Sequence, residues 1–322
     1  MKCPFLILML VFTVALFGKS HLTVTHLTTE YTVDPLGIDE LHPRLAWQLL
    51  SDQRGVGQSA YQIRVAASAA ALTKAKELIW DSGKVASDAS THVVYEGPAL
   101  TTGARYYWQV RVWDQKAKAS PWSAVAFWEM GLLEKSDWKA SWIEAQPPAE
   151  GVNSSPSPML RKEFVVKSGV VSARAYVTAL GLYEMELNGK KVGDQVLTPG
   201  WTAYDKRVQY QTYDIAPLLK SGANAVGVLL GDGWYSGSLG FSGQRGTYGK
   251  TPALLMQMRI LYRDGSTDWV VTDGSWAYST GPILANDIYH GESYDSRLEK
   301  KGWSTAGYPA KDWKPVRIKT TP

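Results

Sequence analysis

The chain has 322 residues, of which 45% are hydrophobic and 20% charged, so it can hold two domains and is too apolar to be disordered over most of its length. Its net charge of +4 gives no electrostatic reason to expect nucleic acid as a partner. The only cysteine, Cys3, excludes an intramolecular disulfide and a metal site built from thiolates. The aromatic residues are 14 Trp and 17 Tyr against 6 Phe, a preference that suits half-buried sheet faces and ligand surfaces.

The N-terminus has the pattern of a secretory signal peptide. Lys2 precedes an almost wholly apolar run over residues 4–17, and Gly18 and Ser20 supply small residues near a cleavage point. A run of about 14 residues is short for a spanning helix, which needs about 20. We therefore expect residues 1–20 to be a cleaved signal peptide. The mature protein would be secreted or periplasmic in a bacterium and not membrane-bound; the alternative is an uncleaved N-terminal anchor.

Alternation of apolar and polar residues predicts antiparallel strands in the first half of the chain, at residues 44–49, 61–65 and 106–112. The alanine-rich stretch 66–78 predicts a short helix or an ordered loop. Leu100 and Tyr106 have the spacing of a tyrosine corner, and Pro121-Trp122 opens the last strand. Residues 22–132 thus resemble an immunoglobulin-like or fibronectin type III sandwich, a module that most often acts as a spacer.

Residues 133–157 are predicted to be a linker, and a second β domain follows. Its predicted strands cover residues 161–166, 172–179, 183–187, 208–213, 225–230, 254–261 and 269–272. Asn188-Gly189 is a strong hairpin signal directly after the third of these strands. The chain is therefore predicted to be all-β, with a jelly-roll-like sandwich as its second domain.

Several runs in this second half resemble the N-terminal domain of bacterial α-L-rhamnosidases, glycoside hydrolase family 78. The runs are Val177–Asp194, Leu197–Asp214, Leu230–Gly237, Tyr248-Gly249 and Asp287–Arg297, in the family's order across residues 158–305. An immunoglobulin-like domain ahead of them also fits, because many members begin with one.

The resemblance implies inverting hydrolysis of terminal α-L-rhamnosides by two carboxylates in an (α/α)6 barrel that follows these domains. No such barrel is present, so no catalytic residue is assigned, and residues 306–322 are interpreted as the start of a further domain. Two hypotheses follow. The chain is the non-catalytic region of an α-L-rhamnosidase that on its own binds a rhamnose-containing glycan, or it is a module that docks onto a missing or separately encoded catalytic domain without binding sugar.

Some family members hold L-rhamnose through calcium in a carbohydrate-binding module, and oxygen-rich loops beside aromatic residues suit that chemistry. The candidate sugar-binding residues are Trp201, Tyr204, Asp205, Asp232, Trp234 and Tyr235. Asp205 and Asp232 are the candidate calcium ligands, although Lys206 would repel the ion. A second acidic loop offers Asn286, Asp287 and Glu292.

Each candidate also has a structural interpretation. Asp232 lies between two glycines and fits a turn, and Trp201 fits a sandwich core. Glu292 and Asp295 fit ion pairing with Arg297. Hydrolysis by Asp287 and Glu292 is disfavoured, because five residues on one loop do not place two carboxylates on opposite sides of a sugar.

Overall fold

The computed structural model describes residues 20–147, 155–240 and 243–320. The predicted signal peptide at residues 1–20 lies outside this part apart from Ser20, as does part of the predicted linker. The described residues form two units, one before and one after the boundary between Leu133 and Glu134. Among the described residues, no helix has the length and apolar character needed to cross a bilayer.

The first unit is a two-sheet sandwich. Its elements are β1 (Leu22–Thr29), β2 (Leu36–Ile38), β3 (Arg44–Ser51), β4 (Gln58–Ala66), α1 (Ala69–Lys74), β5 (Leu78–Asp81), β6 (Val93–Val94), β7 (Arg105–Asp114) and β8 (Ala126–Met130). One sheet has the order β1-β3-β6 and the other β2-β8-β7-β4-β5. The core between them contains Trp47, Tyr95, Trp108 and Trp128, all fully buried.

The predicted strands of this unit are confirmed as β3, β4 and β7, and the alanine-rich stretch forms the short helix α1. Ser68 caps this helix by accepting a hydrogen bond from the Ala71 N–H. The last strand, β8, begins at Ala126, later than the Pro121-Trp122 signal suggested. Before it, Ser120 and Ser123 donate backbone hydrogen bonds to β7, so this stretch follows the sheet without regular pairing.

The predicted tyrosine corner is present. Leu100 is buried, and the Tyr106 hydroxyl accepts a hydrogen bond of 2.9 Å from the Thr101 backbone N–H. This bond fixes the loop that enters β7 against the start of that strand.

Replacing Tyr106 by phenylalanine is expected to lower the free energy of unfolding of the first unit by about 1–2 kcal/mol, because the Thr101 N–H loses its acceptor. Urea denaturation would measure the change. Tyr107→Phe is the matched control, since this neighbouring side chain is only half-buried on the other face of β7. If both substitutions lowered the free energy of unfolding equally, Tyr106 would not act as a tyrosine corner.

The second unit is a larger sandwich with an added hairpin. Its strands are β9 (Ile143–Glu144), β10 (Pro158–Val166), β11 (Val170–Leu180), β12 (Leu182–Leu187), β13 (Lys190–Lys191), β14 (Gln211–Asp214), β15 (Gly222–Gly231), β16 (Ala253–Tyr262), β17 (Thr267–Val271), β18 (Ala277–Thr280), β19 (Ile283–Asp287), β20 (Gly291–Tyr294), β21 (Lys314–Pro315) and β22 (Arg317–Ile318). The helix α2 covers Gly233–Ser236, and short 3-10 turns cover Lys135–Asp137, Ala216–Leu218 and Ser296–Leu298.

One sheet of this sandwich has the order β13-β12-β15-β10-β18-β21, and the other has β14-β11-β16-β9-β22 with β17 beside β16. The pair β19–β20 forms a separate hairpin. The Asn188-Gly189 hairpin is confirmed, because both residues have positive φ and join β12 to β13. The all-β fold with two sandwiches is therefore as predicted.

Three stretches differ from the sequence interpretation. The predicted linker 133–157 contributes β9, whose buried residues pair with β16. Residues 306–322, interpreted as the start of a further domain, instead supply β21 and β22, which pair with β18 and β9 of this same sandwich. The predicted strand at 208–213 is regular only from Gln211.

Candidate functional site

The candidate residues of the second sandwich gather where β15 ends and α2 begins. β15 carries the chain through the buried core to Gly231, and Asp232 then leads directly into α2. Three parts of the chain contact this turn: the loop around residues 197–210, the described residues between α2 and β16, and the hairpin β19–β20. The arrangement follows from topology, because loops at one end of a sandwich bring distant parts of the sequence together.

Two tryptophans form an exposed aromatic surface, here called the Trp platform. The Trp201 and Trp234 rings stack with centroids 6.1 Å apart and planes within 6° of parallel. Trp201 is 54% exposed, so the interpretation that it belongs to the core is wrong. An exposed indole face is the surface that packs against the C–H face of a sugar ring.

The predicted contact residues Tyr204 and Tyr235 are buried instead. Each is only 4% exposed, and they pack edge to face with their ring centroids 5.3 Å apart. Tyr248 packs on Tyr204 from another side. Burial raises the pKa of Tyr204 to about 12, so its hydroxyl stays protonated. These tyrosines support the loops and cannot touch a ligand from solvent.

The close packing of Tyr235 explains a glycine in the neighbouring loop. A Cβ at Gly249 would lie 2.2 Å from the Tyr235 hydroxyl oxygen, which no side chain tolerates. The segment Tyr248-Gly249 therefore closes over Tyr235 only because residue 249 has no side chain.

Asp205 is exposed and contacts the adjacent Lys206, whose Nζ lies 3.4 Å from a carboxylate oxygen. The structure does not bring it to Asp232. The two candidate calcium ligands are thus separate.

Asp232 and Asp287 instead share one guanidinium. Arg245 donates to Oδ2 of Asp232 through one terminal nitrogen and to Oδ2 of Asp287 through the other. The side chains of Asp232 and Asp287 are 10% and 4% exposed. This set of three residues, here called the Arg245 clamp, connects α2, the loop before β16 and the hairpin β19–β20. Asp232 is therefore an ion-pair residue, not merely a turn residue.

The environment of Asp287 holds it ionised. Burial acts to raise the pKa of Asp287, but hydrogen bonds from the backbone N–H groups of Ser238 and Tyr289, and from the side chains of Ser238 and His290, outweigh it and bring the pKa to about 2. The backbone bonds measure 2.8 Å and 2.9 Å. For Asp232, burial raises the pKa while Arg245 acts in the opposite direction.

The remaining members of the second acidic loop have different roles. Asn286 accepts a hydrogen bond of 2.7 Å from the Asp232 N–H and donates to the Ser157 hydroxyl, so it fixes the hairpin to the turn. Glu292 is exposed and faces a cavity of about 560 Å3 that Glu184 and Asn286 also line. Asp295 forms the expected ion pair with Arg297, whereas within the described chain Glu292 does not.

Calcium does not fit this set of residues. The ion needs six to eight oxygen ligands, and the oxygens of the two clustered carboxylates are already occupied by Arg245 and by N–H and O–H donors. Across residues 20–147, 155–240 and 243–320, no three His, Cys, Asp or Glu side chains group as metal ligands.

Sequence reasoning missed Arg245, and it noted Tyr248 only as part of the family resemblance, without a role in the site. Arg245 stands in a glycine-rich loop without apolar periodicity, and such a loop gives no indication of which carboxylates it reaches. The only available signal was charge: two acidic residues in separate loops require a cation if they are buried together.

Comparisons with known proteins agree with this architecture. Residues 24–134 match the family model described as the Rha78A-like, N-terminal immunoglobulin domain, and residues 168–322 match the alpha-L-rhamnosidase N-terminal domain. The chain belongs to the α-L-rhamnosidase family, as its N-terminal region. The chain is 40% identical over 304 residues to an alpha-L-rhamnosidase of Formosa agariphila, and the match covers 92% of this chain and 32% of that protein.

Solved structures give the same result. The crystal structure of Streptomyces avermitilis alpha-L-rhamnosidase complexed with L-rhamnose matches with a TM-score of 0.88 and 30% identity, over 93% of this chain and 45% of that one. Native rhamnosidase from Aspergillus terreus matches with a TM-score of 0.85 and 38% identity, over 94% and 34%. The chain spans 31% to 45% of the length of the curated relatives it matches.

Proposed function

We propose that this chain serves as the non-catalytic N-terminal region of an enzyme that hydrolyses terminal α-L-rhamnosides, and that its second sandwich binds the rhamnose-containing glycan. The family relationship supports the first part. The Trp platform is the observation that carries the second part, because the exposed indole of Trp201, stacked on the partly buried Trp234, is otherwise an unfavourable exposure of apolar surface.

The chemistry of a sugar favours such a surface. One face of a deoxyhexose carries C–H groups and a methyl group, which pack on an indole, while the hydroxyls stay at the rim. Asp205 and Lys206 lie exposed in the loop that follows Trp201 and supply polar partners at that rim. Tyr204 and Tyr235 hold the two tryptophan-bearing segments in place from beneath.

Hydrolysis does not follow from the carboxylates of this site. An inverting glycosidase needs one carboxyl group with a raised pKa that donates a proton. The pKa of Asp287 is instead lowered to about 2, and Arg245 neutralises it. Burial raises the pKa of Asp232, but its carboxylate is paired with the same guanidinium and is not free to donate a proton to a sugar. We therefore propose that the catalytic acid and base belong to the part of the enzyme that follows this region in its relatives.

The proposed binding predicts a clear effect of one substitution. Calorimetric titration of the chain with L-rhamnose should show binding that Trp201→Ala weakens at least about 10-fold, because the stacking face is lost. Trp269→Ala is the matched control, since Trp269 is also partly exposed but lies on β17. A flat trace for the unmodified chain, or equal losses in both variants, would contradict sugar binding by the platform.

A second candidate function is docking onto a catalytic domain without sugar affinity. The hairpin β19–β20 and the turn after it favour this, because they expose the large apolar residues Leu284, Tyr289, Tyr294 and Leu298. Co-sedimentation with a separately produced catalytic domain, lost in Tyr294→Glu but not in Trp201→Ala, would support docking. Rhamnose binding without co-sedimentation would contradict it.

We also propose export of the protein through the N-terminal segment 1–20, whose charge and apolar run have the pattern of a signal peptide. N-terminal sequencing of the protein from the culture medium or periplasm would test this. A mature chain that retains Met1 in the cytoplasm would contradict it.

A further inference from the structure

The Arg245 clamp holds two buried carboxylates from different elements. Asp232 belongs to the turn after β15, and Asp287 ends β19 of the hairpin. Two carboxylates that approach one another in a buried environment repel strongly unless a cation lies between them. Here that position is taken by the Arg245 guanidinium, which contacts one oxygen of each.

The backbone delivers Arg245 to this position. Arg245 forms an isolated β-bridge with Ser238, and the Gly246 N–H donates to the carbonyl oxygen of Ser236. The loop therefore folds back on the end of α2, so that the side chain reaches both carboxylates. The Arg245 side chain is 22% exposed, so it is more accessible to solvent than the two carboxylates that it contacts.

The other acceptor positions of these carboxylates are also filled. Asp287 receives the Ser238 and Tyr289 N–H groups, with His290 Nδ1 at 3.2 Å. Asp232 has the Ser236 hydroxyl 3.3 Å from Oδ1. A divalent ion would have to displace Arg245 to find two carboxylate ligands here.

We propose that Arg245 is the built-in cation of this site, and that it performs for Asp232 and Asp287 the role that a bound calcium ion would perform between two such carboxylates. The intact chain then takes up no calcium at Asp232. Removal of the guanidinium turns the same two carboxylates into a divalent-cation site. This inference is independent of sugar binding, because it concerns only the two carboxylates and their counter-ion.

The test compares thermal unfolding of the full chain in millimolar calcium and in chelator. The unmodified chain is expected to unfold at the same temperature in both. Arg245→Ala is expected to unfold at a lower temperature in chelator, and calcium should raise its Tm by about 5 °C. Arg263→Ala, which removes an exposed arginine from the turn between β16 and β17, should show neither effect.

Terbium luminescence gives a second readout, because Trp234 lies two residues from Asp232 and can sensitise a bound lanthanide. Signal is expected for Arg245→Ala and not for the unmodified chain or for Arg245→Ala combined with Asp232→Asn. The proposal would be overturned if calcium raised the Tm of the unmodified chain. It would also be overturned if Arg245→Ala folded but had the same Tm in calcium and in chelator. If Arg245→Ala folds only in calcium, the proposal is supported; if it does not fold even then, it is overturned.

Discussion

Replacing Trp276 by alanine is expected to lower the free energy of unfolding of the second sandwich by about 4 kcal/mol. Its side chain is 1% exposed and belongs to the core cluster that includes Leu160 and Tyr278. Deleting it removes a large apolar surface and leaves a cavity that the two sheets cannot close without moving their strands.

The indole also organises the chain around it. Its Nε1 donates a 2.8 Å hydrogen bond to the Val271 carbonyl oxygen, and the Trp276 carbonyl oxygen accepts from the Val316 N–H. The loss therefore loosens the turn between β17 and β18 and the attachment of β21 and β22. Part of the destabilisation should appear as earlier hydrogen exchange in residues 314–318.

Scanning calorimetry with urea denaturation would measure the change. Trp201→Ala is the matched control within the same sandwich, because Trp201 is exposed and should cost about 1 kcal/mol or less. A loss below about 2 kcal/mol for Trp276→Ala would mean that the core relaxes around the missing ring to an unusual extent.

The reliable sequence predictions were those with a local physical cause. Alternation of apolar and polar residues predicted the strands β3, β4, β7 and β11, because one face of each had to be apolar. Asn188-Gly189 produced its hairpin because both residues accept positive φ.

Local reasoning failed where pairing depends on distant chain segments. β9, β21 and β22 are only two residues long, and they are strands because β16, β18 and one another offer free edges. Nothing in residues 133–157 or 306–322 indicates those partners. The sequence therefore suggested a linker and the start of a further domain, whereas both segments contribute strands to the second sandwich.

The candidate site shows the same division. An acid beside aromatic residues in a loop predicts a ligand surface, and Trp201 and Trp234 fit that prediction. The same pattern also describes a loop that buries its own tyrosines, as Tyr204 and Tyr235 do. Whether the loop exposes or buries its aromatic residues depends on Tyr248 and Gly249, which belong to a loop that comes later in the chain than both tyrosines.

Replacing Asp287 by asparagine is expected to destabilise the second sandwich by about 3 kcal/mol at neutral pH, because it breaks a buried ion pair and leaves Arg245 with Asp232 alone. The amide also loses the acceptor strength that the Ser238 and Tyr289 N–H groups require. The hairpin β19–β20 should detach from α2 before the sandwich itself unfolds.

The pH dependence gives this prediction a sharper form. The pKa of Asp287 is lowered to about 2 in the folded chain, whereas its ordinary value is 3.8. A carboxyl group whose pKa is lowered by folding stabilises the fold fully when the pH is above the pKa of that group in the unfolded chain. This contribution is lost as the pH falls from about 4 towards 2. Arg245, His290 and Asp232 are the charged or titratable groups that contact or adjoin it.

The difference in stability between the unmodified chain and Asp287→Asn should therefore be largest at neutral pH and shrink between pH 4 and pH 2. Urea denaturation across this range would measure it, with Glu292→Gln as the control, because Glu292 is an exposed carboxylate of the same hairpin. If this difference in stability were the same at every pH, the clamp would weaken in acid for a reason other than protonation of Asp287. The contribution of Asp287 would then come from the shape of its side chain and not from its charge.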